Sequence, residues 1–327
     1  MRIHHILASL AALLFPAALL VFPACNKGLS VSAVSFGVTT DSSTYQPGAT
    51  VKFSFTGNPD NLVFYSGTWG NRYTYSNRLS DTSGNAYLTF STATTAVTNG
   101  TLSLLVSSDF DGSLDSTDVR AATWTDITSR ATLATGTTTV ASDTISLNDF
   151  KAAGKPIYLA FRYSAAAGAA QNKWTVTNLA LKHRPVNDTT YTLATLANTI
   201  PVYALATPPL AASPGWDTAN VVKGGISWSP AIASTSTASL VITGNTNAAT
   251  ALATENWTIA GPIDLTRVLH DVPTAVIKNI TVNLMQLSPP FTYVYPLPGT
   301  YDAVFVGINA TSNALDSTIK TIAIPVQ

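Results

Sequence analysis

Cysteine, histidine and glutamate are nearly missing from this 327-residue chain, which has one Cys, four His and a single glutamate, Glu255, among 17 acidic residues. One cysteine excludes an intrachain disulfide framework, and so few thiols and imidazoles leave little material for a multi-ligand metal site. Chemistry that needs two glutamates is excluded. Charge is scarce too: 10% of residues carry it, and 17 Lys plus Arg balance 17 Asp plus Glu. That balance argues against a nucleic-acid-binding protein, which needs clustered positive charge to displace counterions. Catalytic signatures are also lacking. Beyond the N-terminal segment only His183 and His270 could serve a Ser-His-Asp triad, and no Gly-x-Ser-x-Gly elbow surrounds any serine. No glycine-rich phosphate loop occurs, and nothing marks any two of the aspartates as a glycosidase pair. The sequence therefore predicts a protein without catalytic residues and without an assured cofactor. Hydrophobic residues make up 46% of the chain, enough for a large core and too many for disorder.

Residues 1–25 read as an export signal. Met1-Arg2 supplies a positive start, Ile6 to Val21 is apolar apart from Ser9 and Pro16, and the run ends at Phe22-Pro23-Ala24-Cys25. That is the secretory pattern, and the apolar stretch is short for a span of about 20 residues. The segment resembles a bacterial lipobox, in which the cysteine is lipidated and becomes the new N-terminus. Cys25 is then the lipidation site, residues 26–33 a tether, and the remainder a soluble body anchored to the outer membrane at its surface or periplasmic face. The alternative is an ordinary secreted protein with a stray cysteine. Several acyl chains would hold firmly, since one chain binds only marginally.

From residue 30 onward the apolar period is two. Val51, Phe53 and Phe55 alternate with Lys52, Ser54 and Thr56. Leu62–Tyr65, Leu102–Val106, Ile157–Tyr163, Trp174–Leu179 and Tyr301–Ile308 also read as strands, separated by Gly, Pro, Asn and Asp clusters. No window forms a convincing amphipathic helix, although Leu147 to Ala153 could make one turn. An all-β fold of antiparallel sandwiches follows.

The two ends belong together on this reading. The turn Gln46-Pro47-Gly48 and its strands match in kind the C-terminal Phe291–Tyr295, Pro298-Gly299-Thr300 and Tyr301–Asn309. The C-terminal half resembles the closing strands of PKD-type immunoglobulin-like domains. Neither half has strands enough to close a sandwich alone. The expected organisation is a discontinuous immunoglobulin/PKD-like domain, 34–70 plus 289–327, interrupted by an insert at 71–288; sequential sandwiches are the alternative. Within the insert, Ala122-Thr123-Trp124-Thr125-Asp126-Ile127, then Ile157-Tyr158-Leu159-Ala160-Phe161-Arg162-Tyr163, then Trp174-Thr175-Val176-Thr177-Asn178-Leu179 resemble the jelly-roll modules of bacterial surface proteins. Glu255–Ile259 with Pro262–Leu265 resembles a further strand of that module.

With Phe53-Ser54-Phe55-Thr56-Gly57-Asn58-Pro59-Asp60-Asn61-Leu62-Val63-Phe64-Tyr65-Ser66-Gly67, the chain resembles the lipoproteins of the domain of unknown function 5017 family. That resemblance implies an envelope lipoprotein of Bacteroidota-type bacteria, frequently encoded beside starch-utilisation-like glycan uptake systems. It implies no activity.

Two sets of residues are candidates for binding. Asp109, Asp111, Asp115 and Asp118 surround Gly112 and offer the hard oxygen donors that Ca²⁺ takes; the alternative is that they are turn residues. Trp69 with Arg72, and Trp216 with Asp217, place an aromatic beside polar groups in loop-like sequence, as a platform for a sugar would. The alternative is that both tryptophans plug the junction between domains. Trp124, Trp174 and Trp257 lie in strand patterns and are expected in the core. The expected function is therefore glycan binding as an accessory of a nutrient-uptake system, with a polysaccharide or oligosaccharide and uptake-complex proteins as partners. The alternative is a structural or adhesive envelope module.

Overall fold

A computed structural model describes residues 30–57, 59–95, 99–196, 216–223, 227–231, 238–277 and 290–327. Cys25 and the rest of the N-terminal segment lie outside the described residues. The strands are β1 Phe36–Thr40, β2 Thr50–Gly57, β3 Asn61–Tyr65, β4 Asn85–Thr94, β5 Thr101–Ser107, β6 Thr125–Asp126, β7 Val140–Ala141, β8 Ile145–Ser146, β9 Ile157–Ala165 and β10 Lys173–Arg184. They continue as β11 Tyr191–Thr195, β12 Trp216–Val222, β13 Ser227–Ala231, β14 Ser239–Thr243, β15 Thr254–Ile263, β16 Ala275–Ile277, β17 Phe291–Val294, β18 Gly299–Ala310 and β19 Leu315–Val326. Two short helices interrupt them, α1 Ser116–Ala121 and α2 Asn148–Ala152. The protein is all-β, as its period-two patterning predicts. The α2 turn falls within Leu147 to Ala153, whereas α1 has no apolar period to announce it.

Strands from both chain ends share one core. A sheet ordered β1-β2-β17 faces another ordered β16-β3-β18-β19. In β2 every second residue, Val51, Phe53 and Phe55, is buried, because alternate side chains point to opposite faces of a strand. Between the sheets five phenylalanines pack together. Phe305 stacks on Phe64 at 4.8 Å and meets Phe53 and Phe55 edge-on at 5.1 Å, with Phe291 against Phe64 at 5.0 Å. Tyr295, also buried, donates its hydroxyl to the Ser66 carbonyl at 2.9 Å. The returning chain rejoins this sandwich earlier than the expected residue 289: β16 pairs with β3 through Ala275 opposite Phe64. Three residues pairing a sheet edge carry too little pattern to be seen as a strand in sequence.

The chain between β3 and β16 forms the larger sandwich. One of its sheets runs β13-β14-β10-β4-β7, with β11 also on β10 and β8 on β4; the other runs β12-β15-β9-β5-β6. The pairing is nested: β4 lies beside β10 while β5 lies beside β9, and β14 lies beside β10 while β15 lies beside β9. Strand pairs that cross together from one sheet to the other give a jelly-roll-like wrap. Leu88, Phe90, Leu104, Phe161, Val176 and Ile242 fill the space between the sheets. In β10 the buried parity changes from Trp174 and Val176 to Leu179 and Leu181 across a register shift. Asn178 sits there at φ 53, a left-handed conformation that Asn tolerates better than most residues.

The two sandwiches are tied where the chain crosses between them. Outgoing and returning segments hydrogen-bond side by side: Thr274 N to Phe64 O at 2.7 Å, Val272 N to Gly70 O at 2.9 Å, Asp271 N to Tyr75 O at 3.0 Å and Asp81 N to Thr266 O at 2.7 Å. Two guanidiniums cross this seam. Arg72 donates to Asp271 at 2.8 Å and to Asp188 at 3.1 Å, while Arg78 donates to the other oxygen of Asp188. Both lie over the Tyr75 ring, at 4.3 and 4.2 Å from its centroid. The Asp188 and Asp271 side chains are only 3% and 2% exposed. Burial pushes the Asp188 carboxyl up, but bonds from Arg78 and the Thr189 amide, with the charges of Arg72 and Arg78, outweigh it and hold the group below the ordinary carboxylate value.

Two predictions follow from this architecture. Truncating Phe305 to Ala should cost about 3–5 kcal/mol in equilibrium unfolding, because all four of its aromatic neighbours lose contact. Asp188 titrates lower in the folded state than near its unfolded value of about 3.9, so its stabilisation is complete above about pH 5 and disappears as the pH falls through the folded value. Melting temperatures measured from pH 6 down to pH 2.5 should show this loss. Asp188→Asn should flatten that part of the profile and cost about 3 kcal/mol at neutral pH, since it leaves the guanidiniums under-paired.

Candidate functional site

The outer face of the β12-β15-β9-β5-β6 sheet carries its own layer. Residues on that face of the strands, Leu105, Ala160, Ala219, Val221, Trp257 and Ile259, are buried under the segment that runs from Phe110 through α1 to Trp124. The cover is held by Phe110 and Val119, both buried, and by the Trp124 indole N–H donating to the Val119 carbonyl at 2.8 Å. A row of rings crosses the face: Tyr158 meets Phe110 edge-on at 5.0 Å, Phe110 meets Trp124 at 5.4 Å, and Trp124 meets Trp257 at 5.0 Å. Arg162 closes the row over Trp257 at 5.6 Å.

At the Tyr158 end the cover stops and an open cleft of about 280 Å³ remains, lined by Phe110, Gly112, Leu114, Tyr158, Asp217, Ile259 and Gly261. This volume lies near the lower end for small-molecule sites, about 300–1,000 Å³. Two glycines make room for the tyrosine. A Cβ on Gly261 would stand 2.6 Å from the Tyr158 ring, and one on Gly112 would stand 3.1 Å from its hydroxyl. Burial pushes the Tyr158 phenol above its ordinary value, and the nearby Asp111 carboxylate adds to that, so it remains a neutral donor and acceptor. Asp217 is exposed on β12, opposite Ile259 of β15, with one oxygen accepting from the Thr218 amide at 2.8 Å. The cleft thus combines a half-buried aromatic face, an apolar floor, a phenol and a carboxylate.

The structure divides the paired candidates. Trp216 does not form a platform: it is 6% exposed, stacks on Phe161 at 5.9 Å and donates its indole N–H to the Thr195 carbonyl at 2.8 Å. Its neighbour Asp217 points to the opposite face of the same strand and reaches the cleft. Arg72 is committed to Asp188 and Asp271 in the seam, so it is no ligand partner for Trp69. Trp69 itself is 63% exposed, on the turn closed by Asn71 N to Thr68 O at 2.9 Å. The two tryptophans share no face. Trp174 in the inter-sheet core and Trp257 in the core under the outer layer are both buried as expected, while Trp124 is only part-buried against that layer.

The four clustered aspartates shape the cover segment. Asp109 accepts from the Ser107 hydroxyl at 2.7 Å and the Thr123 amide at 2.9 Å, and Asp111 from the Ser113 amide at 2.9 Å. Asp115 caps α1 by accepting from the Thr117 amide at 2.8 Å, and Asp118 accepts from the Ser113 hydroxyl. Hydrogen bonds to the charged form hold Asp109 and Asp115 below the ordinary carboxylate value. Among the described residues no three His, Cys, Asp or Glu side chains converge as metal ligands. The calcium expectation gives way to the turn-and-cap role because each carboxylate addresses its own stretch of backbone or hydroxyl. His183 is fully buried with Nε2 3.0 Å from the Ser83 carbonyl oxygen.

Of the residues lining the cleft, the sequence points to Asp217 and, in the aspartate loop, Gly112, but not to Phe110, Leu114, Tyr158, Ile259 or Gly261 as ligand-facing. A signal existed for two of them. In Ile157-Tyr158-Leu159-Ala160-Phe161 the tyrosine takes the face opposite three large apolar residues, and an isolated glycine inside a strand such as Gly261 marks a close approach.

Fold and site together define an all-β protein of two tied sandwiches with an open cleft on the larger one. Residues 24–200 match the family model described as Domain of unknown function (DUF5017), more than half of the chain, and the chain belongs to that family. No curated protein and no solved structure matches it. Among the described residues no helix is long and apolar enough to cross a membrane.

If Asp115 is a helix cap, Asp115→Ala should lower the melting temperature by about 2–4 °C, and by the same amount with added calcium as with EDTA. A calcium ligand would instead lose a calcium-dependent rise in melting temperature.

Proposed function

We propose that this protein is a lipid-anchored cell-envelope protein that binds a glycan without turning it over, as an accessory to nutrient uptake, and that the ligand sits in the Tyr158–Asp217 cleft. The observation that carries the binding site is the half-buried Tyr158 ring, set between Gly112 and Gly261 and open to solvent beside a carboxylate. A sugar ring presents an apolar C–H face and a rim of hydroxyls. The first suits an aromatic face and the second suits a phenol and a carboxylate, since hydrogen bonds to an ionised acceptor are the stronger kind. The anchor rests on Cys25 at the end of the apolar N-terminal run. The Bacteroidota-type origin and the outer-membrane location rest on the lipobox-like segment and the family's usual setting. Among the described residues that line the cleft, Asp217 is the one carboxylate.

A second reading, contact with another envelope protein, is favoured by Trp69, which is 63% exposed beside the half-exposed Val272 whose amide bonds to Gly70. Isolated exposed tryptophan is uncommon away from contact surfaces.

Tyr158→Ala should weaken binding to an oligosaccharide by at least about tenfold, and Gly261→Val should do the same by displacing the ring, while Trp69→Ala leaves it unchanged. Isothermal titration against a polysaccharide and oligosaccharide panel checks this. Binding lost only in Trp69→Ala would place the site on the turn instead. Separately, Cys25→Ala should move the chain from the membrane fraction to the soluble exported fraction.

A further inference from the structure

We infer that the cleft on the outer face of the larger sandwich is selective for neutral and amino-bearing saccharides and refuses uronic-acid and sulfated ones. This inference rests on the glycan reading above and specifies its ligand class. The reason is the charge of the walls. Among the seven described residues that line the cleft, Asp217 alone is charged, and none is a cation. Asp217 stands exposed at the mouth, while Asp111, also exposed, precedes the lining Gly112 and is close enough to raise the Tyr158 phenol. The cations nearest in sequence are occupied or off the lining. Arg120 of α1 directs its guanidinium to the Val221 carbonyl at 3.4 Å, further along β12, and Arg162 lies over Trp257 at the other end of the aromatic row. Lys155, in the turn before β9, is not among the lining residues.

A ligand carboxylate or sulfate entering here would meet one carboxylate directly and a second close by, with no guanidinium or ammonium among the described lining residues to pair with. Like charges that share a partly desolvated site repel. A hydroxyl or an ammonium has the opposite fit, because it donates to an acceptor that is already ionised. The glycines reinforce this preference by leaving the phenol reachable as a second donor and acceptor without adding charge.

The test uses the full chain in detergent with three probes of matched length: neutral β-glucan oligosaccharides, chitosan oligosaccharides below pH 6, and oligogalacturonates. The expected result is saturable binding of the first two and at least tenfold weaker binding of the third. Asp217→Asn should narrow the gap between chitosan and oligogalacturonate by about tenfold without lowering the melting temperature. Oligogalacturonate binding as tight as that of the neutral probe overturns the charge selection while leaving the glycan site standing. A selectivity untouched by Asp217→Asn also overturns it, since the carboxylate would then not be its source. Binding of none of the probes by a protein with an intact thermal transition overturns the glycan reading and this inference with it.

Discussion

The larger sandwich depends on two chain crossings that are bound to each other. The outgoing segment after Tyr65 and the returning segment before Ala275 share backbone hydrogen bonds along their length, and Arg72 and Arg78 stitch both to the Asp188 turn of the insert. A buried ion pair of this kind is weak evidence for net stability, since desolvation offsets much of its attraction. Its value is geometric. Asp188 belongs to the hairpin between β10 and β11, Asp271 to the return crossing, and Arg72 and Arg78 to the outgoing one, so the network is satisfied in one relative placement of the pieces. The Tyr75 ring, within cation–π range of both guanidiniums, adds a contact that requires the same placement.

That constraint separates a foundation from a working face. The five-phenylalanine core joins residues from positions 53 to 305, so the smaller sandwich exists only when both chain ends are present. The larger sandwich then has both sheets occupied against each other, and its β12-β15-β9-β5-β6 sheet is left with an outer face to cover. The segment containing the four aspartates does that work with six residues of helix and an aromatic row, and it falls short of the Tyr158 end. The cleft is what remains uncovered.

Much of the architecture was legible because period two is hard to mistake. Val51, Phe53 and Phe55 mark the buried face of β2, and Ile157, Leu159 and Phe161 mark that of β9, by their spacing alone. The β16 strand was not legible, since three residues at an edge carry no pattern. The site was legible only in part. In sequence Asp217 stands beside Trp216 as a paired candidate, yet the two face opposite ways because neighbours on a strand do. Arg72 resembled a ligand donor in sequence; its partners, Asp188 and Asp271, lie more than a hundred residues away and could be found only through the fold. The aspartate cluster looked like a cation loop because the residues that cap helices and close turns are the ones that bind calcium.

In the proposed complex, ligand binds between Tyr158 and Asp217. A crystal structure of the protein soaked with a neutral β-glucan oligosaccharide tests it most directly. The expected result is a sugar ring packed on the Tyr158 face, with a hydroxyl donating to Asp217 and with Gly112 and Gly261 at its edges. A sugar seated on Trp69, with the Tyr158 cleft empty, would contradict it.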